Sequence, residues 1–367
     1  MKPKAVITGG GTGGHIYPAL SVAKKLIEKE WDILYIGSRQ GMEKEIIKRE
    51  NIDFRSISVA PFPRRFSISL LKAVFVSMGG FGQSLKLLRS YKPQIVLGTG
   101  GFVAGPVVLA GSLLGAKTII HEQNVFPGFT NRLLSRRADK VALNFGEAVE
   151  YFPGELKTKA VVTGNPVREK IRKAKRSEGI KKLGLKKQKT TLLVLGGSQG
   201  SESINQAMDR VCRYASEEKG LQIIYITGKN KYSAVKERLG SIWERNSDLH
   251  LKPYLHNIEW AYAAADLMVS RAGATVLAEI TVQGLPAILI PYPHASGDHQ
   301  SYNAQLLAGE GAAVVIPDEK LSGEILLKEI KKITSKPGHL QKMAENSKKM
   351  GYPEALNNIV EEIENLK

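Results

Sequence analysis

Short runs of β-branched and aliphatic residues recur along the chain, each followed by a stretch with helical spacing. In the first half Lys4–Thr8, Ile33–Ile36, Ile95–Leu97 and Thr118–Ile120 read as strands, and Pro18–Glu30 as a helix. In the second half Thr191–Leu195, Gln222–Ile226, Leu267–Val269 and Ala287–Ile290 repeat the pattern. Runs that are apolar on both faces and separated by helices imply parallel sheets covered on both sides. A strand, a glycine loop and a helix occur at residues 4–30 and again at 191–215. The fold class is therefore α/β, with two doubly wound parallel-sheet domains. The connection falls at Gly164-Asn165-Pro166, giving one domain over 1–164 and a second over 165–351. The tail after Pro353 has amphipathic helical periodicity, which does not say which domain it packs on.

Composition narrows the class. A chain of 367 residues with 53 basic and 35 acidic side chains carries a net charge of +18. Such an excess bears on partners, not on fold, and admits nucleic acid, an anionic membrane or a phosphorylated substrate. Its distribution is uneven: residues 61–92 carry +6 and residues 165–192 carry +9. A protein that coats nucleic acid would spread the charge more evenly. The single cysteine, Cys212, excludes an intrachain disulfide and a cysteine-rich zinc site, and suits a reducing cytosol. Met1-Lys2-Pro3-Lys4 runs directly into a strand, so a cleaved leader is not expected. Residues 93–116 lack charge over a length that could span a bilayer, but their glycines and prolines read instead as strand, loop and buried helix.

Six polar or glycine-rich segments follow strands. Gly9-Gly10-Gly11-Thr12-Gly13-Gly14-His15 matches G-x-G-x-x-G and opens a helix, where free N–H groups favour an anion. A dinucleotide site would need an acid at the end of the second strand, yet that strand ends Ile36-Gly37-Ser38-Arg39. His15 stands where a P-loop needs lysine. It either caps the turn or faces a ligand beside a second glycine loop, Gly98–Gly101. His121-Glu122-Gln123-Asn124 follows the strand Thr118–Ile120, with Asn131 and Arg132 in the next helix. These polar groups either organise the start of that helix or serve a site. Gly196-Gly197-Ser198-Gln199-Gly200-Ser201 lacks lysine but can hold a phosphate through N–H groups and the Ser198 hydroxyl, or simply turn the chain. Ser270-Arg271-Ala272-Gly273-Ala274-Thr275 precedes Glu279, so a helix start and a carboxylate share one face. Asp298-His299-Gln300 opens a further helix. The seven histidines lack metal-ligand spacing, so no metal is expected.

Taken in order, these segments resemble the bacterial peptidoglycan N-acetylglucosaminyltransferases, the MurG family of GT-B glycosyltransferases. The resemblance rests on GGGTGGHIYPA (Gly9–Ala19), GTGGFVAGP (Gly98–Pro106), HEQN (His121–Asn124), GNPVR (Gly164–Arg168), GGSQGS (Gly196–Ser201), SRAGATVLAE (Ser270–Glu279) and DHQSYNA (Asp298–Ala304). It implies two Rossmann-like domains facing a cleft, with a final helix, about 352–367, crossing back to the first. It implies inverting transfer of N-acetylglucosamine from UDP-N-acetylglucosamine to the muramic 4-hydroxyl of lipid I, the undecaprenyl-pyrophosphoryl-N-acetylmuramoyl-pentapeptide, giving lipid II. Donor contacts would fall on Thr12, Gly13, Gly14, Asn124, Arg168, Ser198 and, by its backbone, Leu255. Arg271 and Ala274, Thr275, Val276, Leu277, Ala278 and Glu279 would form the diphosphate and ribose clamp, and Gln300 would read the sugar. Other members carry glutamine where this chain has His299. Gly100, Gly101, His121 and Asn131 would lie on the acceptor side.

His15 is the first candidate for the base, since an unperturbed imidazole titrates near neutrality, with Glu122 and His121 as rivals. No cofactor is implied. Expected partners are the two substrates, anionic inner-leaflet lipids and other cell-wall synthesis proteins, with no nucleic acid, at the cytoplasmic face of the membrane as a peripheral protein. The segment 61–92 fits that placement, because Arg64, Arg65, Lys72, Lys86, Arg89 and Lys92 alternate with Phe62, Phe66, Leu70, Leu71, Phe75, Phe81 and Leu85. It reads equally as a core helix with solvated lysines. The alternative enzyme is another GT-B member, such as a UDP-N-acetylglucosamine 2-epimerase, which would lack that segment.

Overall fold

The computed structural model describes residues 2–367 except 61–67, 153, 198, 199 and 219, and leaves the side chains of 68–72, 74, 155 and 157 undescribed. The chain forms two compact units, Met1–Pro166 with Pro353–Lys367, and Val167–Tyr352.

The first unit holds a seven-stranded sheet. Its strands are β1 (Lys4–Thr8), β2 (Asp32–Ser38), β3 (Asp53–Ile57), β4 (Ile95–Gly98), β5 (Lys117–Glu122), β6 (Lys140–Leu143) and β7 (Ala160–Val162). The second unit holds β8 (Thr190–Leu195), β9 (Leu221–Ile226), β10 (Leu249–Lys252), β11 (Leu267–Ser270), β12 (Ala287–Leu289) and β13 (Ala313–Val315). The orders are β3-β2-β1-β4-β5-β6-β7 and β10-β9-β8-β11-β12-β13. Every pairing is parallel, for example Ile7 opposite Tyr35 and Leu97, and Val194 opposite Tyr225 and Val269. The strand order reverses at β1/β4 in one unit and at β8/β11 in the other. In open α/β sheets that reversal leaves a crevice at the carboxyl ends of the strands, where ligands bind. The expected doubly wound architecture is therefore present in both halves.

Alternation along each strand sends side chains to two cores. In the first unit Ala5, Ile7, Ile33, Tyr35, Ile95 and Leu97 face one cluster, which is closed by Ile16, Leu20 and Leu26 of the Gly13–Glu28 helix. Val6, Leu34, Ile36, Val96 and Ile120 face the other, with Val103, Val107 and Leu88. The tail helix Ala355–Asn365 completes the first cluster by burying Ile359, Val360 and Ile363. Its solvent flank pairs Glu364 with Lys29 at 2.7 Å and Glu362 with Lys140 at 3.2 Å.

Two boundaries differ from the sequence reading. The first helix starts at Gly13, not Pro18, so His15 lies in its first turn. Thr12 is extended and caps it, and the amides of His15 and Ile16 both reach the Thr12 carbonyl. β5 runs through His121 and Glu122, which are the buried end of the strand and not the start of the loop.

Candidate active site

The loops after β1 and β4 pack backbone against backbone. The Gly10 amide donates to the Gly100 carbonyl at 3.4 Å, and a Cβ on Gly101 would lie 2.2 Å from the Gly10 oxygen. Gly101 also has φ +79°, so glycine is required there twice over. The Thr99 hydroxyl donates to the His15 carbonyl at 2.8 Å, and a Cβ on Gly100 would meet the His15 ring at 3.0 Å. His15 Nδ1 lies 3.1 Å from the Gly10 carbonyl, with Thr12 Oγ1 at 3.4 Å. A carbonyl can only accept, so a hydrogen bond to Gly10 requires the proton on Nδ1 and puts the basic lone pair on Nε2, the edge turned to Gly100. Thr12, Gly13 and Gly14 form the start of the same helix.

The end of β5 is a densely hydrogen-bonded polar knot in which only Gln123 Oε1 and Asn131 Oδ1 are left without a partner among the described residues. Glu122 Oε1 accepts from the Asn124 amide at 3.0 Å and its side chain at 3.1 Å. Oε2 accepts from the Gly128 amide at 3.0 Å and Asn131 Nδ2 at 2.8 Å. His121 is buried and its Nε2 donates to the Gly164 carbonyl at 3.0 Å, while Nδ1 accepts from Gln123, whose amide also reaches the Thr99 carbonyl at 2.8 Å. Burial, the dominant cause, pushes the His121 pKa down to about 4, against the hydrogen bond to Gly164. Polar groups taken out of water need partners, and most of these partner one another.

In the second unit the Ala274–Gln283 helix starts at the end of β11 with Gly273 as an extended N-cap and no side-chain cap. Its first amides are therefore available to an anion. Thr275 Oγ1 is buried without a hydrogen-bond partner. One turn on, Glu279 is buried, and Arg168 Nε and Nη2 reach its Oε1 at 3.1 and 2.8 Å. Both contacts fall on one oxygen, so Oε2 is not spent on the guanidinium. Burial raises the Glu279 pKa above the ordinary carboxylate value, and Arg168 only partly offsets it. Val276, Leu277 and Ala278 complete the helical turn between Thr275 and Glu279. Leu255 lies half-buried in the loop after β10.

Two expected donor contacts are engaged within the protein. Arg271 Nη1 donates to Asp318 Oδ1 at 2.5 Å and to the Ile290 and Pro291 carbonyls. Its Nη2 donates to Ser201 and Ser203 at 2.7 and 3.0 Å. One guanidinium thus ties together the loops after β8, β11, β12 and β13. Gln300 Oε1 accepts from the Ala272 and Tyr292 amides at 3.2 and 2.9 Å, which leaves only its amide nitrogen for a ligand. The expected site serine, Ser198, lies outside the described residues. The loop around it still shows its constraint, since a Cβ on Gly200 would lie 2.1 Å from the Thr227 carbonyl. Among the described residues no three His, Cys, Asp or Glu side chains group in a way that could hold a metal ion.

Sequence reasoning passed over Glu43. It is wholly buried, and its Oε1 accepts from the Ser38 amide at 2.8 Å and the Ser38 hydroxyl at 2.6 Å. The end of the second strand does carry an acid, supplied from five residues on and turned beneath the glycine loop instead of outward.

Comparison with known proteins adds to this geometry. Residues 5–143 match the model for the glycosyltransferase family 28 N-terminal domain, and residues 191–359 that for its C-terminal domain. The chain is 50% identical over 364 residues to a Halothermothrix orenii protein, with 98% of each covered. It is 44% identical over 369 residues to one from Desulforamulus reducens, covering 99% of this chain and 98% of that one. Both are named UDP-N-acetylglucosamine–N-acetylmuramyl-(pentapeptide) pyrophosphoryl-undecaprenol N-acetylglucosamine transferase. The crystal structure of Acinetobacter baumannii MurG superposes with a TM-score of 0.80 at 27% identity, with 99% of each chain covered.

Proposed function

The chain belongs to glycosyltransferase family 28, and from that membership we propose how its residues divide the work. The protein is an N-acetylglucosaminyltransferase. It moves N-acetylglucosamine from UDP-N-acetylglucosamine to the muramic sugar of the pentapeptide-bearing, pyrophosphoryl-undecaprenol-linked acceptor. The observation that carries the residue assignment is the placement of His15, at a helix start between two interlocked glycine loops, with its Nδ1 3.1 Å from the Gly10 carbonyl and Nε2 turned to the Gly100 side. Inversion at the anomeric carbon takes one in-line displacement, in which the acceptor 4-hydroxyl loses a proton as its oxygen attacks. His15 Nε2 takes that proton. Its rivals are committed elsewhere: Glu122 spends both oxygens on four N–H donors, and His121 is a weak base with both nitrogens engaged. They hold the acceptor-side loop, with Asn131.

The second unit takes the donor. Amides at the start of the Ala274–Gln283 helix and the Thr275 hydroxyl receive the diphosphate and stabilise the charge that grows on departing UDP. Glu279 Oε2 accepts from the ribose hydroxyls, with Arg168 orienting the carboxylate. Arg271 positions the loops and does not touch the donor. Melting-temperature shifts test the donor reading. UDP-N-acetylglucosamine should stabilise the protein more than UDP-glucose does, and NAD should do nothing; an equal shift with NAD would refute it.

Docking on an anionic membrane belongs to the same proposal. Among the described residues no helix is long and apolar enough to cross a bilayer. Phe75 and Met78 on the Ile68–Tyr91 helix are 71% and 63% exposed, and Lys86 and Arg89 are exposed further along the same helix. Leu113 and Leu114 are exposed at the end of the neighbouring Ala104–Leu113 helix. Phe81 and Leu85 turn to the core, so the apolar face is narrower than the sequence suggested. Phe62, Arg64, Arg65 and Phe66 lie outside the described residues, as do the side chains of Leu70, Leu71 and Lys72. Basic residues near an anionic surface contribute about 1 kcal/mol each. The protein should therefore sediment with anionic vesicles and be released by salt, and not sediment with neutral ones; equal, salt-insensitive recovery would refute the docking.

A further inference from the structure

We propose that Glu43, acting through the Gly10–Gly11 peptide group, fixes the tautomer of His15 and raises the basicity of its Nε2. The carbonyl of that peptide belongs to Gly10 and accepts from His15 Nδ1 at 3.1 Å. Its amide belongs to Gly11 and points at Glu43 Oε2, a long contact at 3.5 Å. Carboxylate, peptide and imidazole thus form one series across a single planar, polarisable group. A negative charge at the amide end makes the carbonyl oxygen a stronger acceptor, because hydrogen bonds in a chain polarise one another. A stronger acceptor at Nδ1–H favours the imidazolium that forms when Nε2 takes a proton. The arrangement is that of a histidine oriented by a carboxylate, with one peptide between them.

The surroundings are built for it. Glycines make the room: a Cβ would lie 2.1 Å from Oε2 at Gly41, 2.6 Å from Oε1 at Gly10 and 2.8 Å from Cγ at Gly37. Among the described residues Glu43 forms no ion pair, so no cation screens its charge from the loop. Tyr35 holds the preceding peptide by donating to the Gly9 carbonyl at 2.6 Å. Of the titratable groups around the loop, Glu43 and Tyr35 reach its peptides from beneath, and His121 on β5 acts on His15 electrostatically, with Glu122 next to it in the chain and Tyr17 two residues beyond His15 on its own helix. The loop after β4 contributes none from Thr99 to Ala104. Burial raises the Tyr35 pKa and lowers that of His121, so both stay neutral near pH 7, and Glu122 is held by its four donors. Glu43 is therefore a positioning residue, and its catalytic meaning rests on His15 being the base.

The test follows the His15 ring by NMR in the full-length protein, with its signal identified by loss in His15→Gln. In the unmodified protein the neutral ring should carry its proton on Nδ1. In Glu43→Gln the His15 titration midpoint should fall by about 1 pH unit. The acid limb of kcat/KM should move with it, while the donor KM stays within about twofold. An unchanged midpoint in a folded Glu43→Gln protein would overturn the proposal, because a merely structural acid would alter stability and leave the ring's titration alone. Should that variant not fold, the unmodified protein still decides: a neutral ring protonated on Nε2 would overturn the relay. A midpoint that falls while His15→Gln keeps normal turnover would uphold the relay and remove His15 from the base role.

Discussion

His15→Ala should lower kcat by about 10²- to 10⁴-fold, the usual contribution of a positioned general base. Its effect on donor affinity should be small. The glycine loop does not depend on the ring, because it is also held by Tyr35 at the Gly9 carbonyl and by the contact between Gly10 and Gly100. The first turn keeps its anchor to Thr99, which binds the His15 carbonyl and not the side chain. The lost Nδ1–H bond to Gly10 costs about 1 kcal/mol of stability. Steady-state kinetics on a lipid I analogue, with UDP binding measured alongside, would show kcat collapsing at nearly constant Kd. Turnover close to that of the unmodified enzyme would remove His15 from the role.

Glu279→Gln should separate binding from stability. The carboxylate can accept two ribose hydroxyls; the amide offers one acceptor and turns a donor toward the second. Hydrogen bonds to a charged group contribute about 1.5–3 kcal/mol, so UDP affinity should fall by about 10- to 100-fold. Stability should move the other way. The folded-state pKa of Glu279 lies above its unfolded value of 4.5, with burial as the main cause and Arg168 the partial offset. A carboxyl with a raised folded pKa has its full stabilising contribution below the unfolded pKa and loses it as pH rises through the folded one. The ligand-free variant should thus gain in melting temperature relative to the unmodified protein as pH rises from 4 to 7. A difference in melting temperature that fails to grow in the variant's favour between pH 4 and 7 would contradict the raised pKa, and unchanged UDP binding would contradict the ribose assignment.

The sheets were legible where strands are covered on both faces. β1, β2, β4, β5, β8, β9, β11 and β12 announce themselves as continuous apolar runs. The strands passed over are instructive. β3, β7, β10 and β13 are the four sheet edges: β3 and β10 keep polar positions because part of an edge strand meets water, whereas β7 and β13 are apolar but only three residues long. Asp53–Ile57 and Leu249–Lys252 are mixed in this way. β6 is obscured differently, since its short run Lys-Val-Ala-Leu directly follows the charged Arg136-Arg137-Ala138-Asp139.

The site was legible as loops but not as side-chain pairings. Glycines betray themselves because backbone contact excludes a Cβ. The partnership of Arg168 with Glu279 spans 111 residues, and nothing local marks it. Arg271 carried the expected residue type in the expected place, yet its guanidinium closes the scaffold, which only three-dimensional neighbours reveal. Glu43 stands five residues past the strand end, where nothing local marks it, yet its buried carboxylate serves the same loop from the next helix.

The most direct measurement is transfer of labelled N-acetylglucosamine from UDP-N-acetylglucosamine to a lipid I analogue. The purified protein should yield labelled disaccharide-linked lipid and UDP in equal amounts, and only when the acceptor is present. Label that never enters the lipid, or a UDP-sugar converted to its 2-epimer without acceptor, would contradict glycosyl transfer as this protein's reaction.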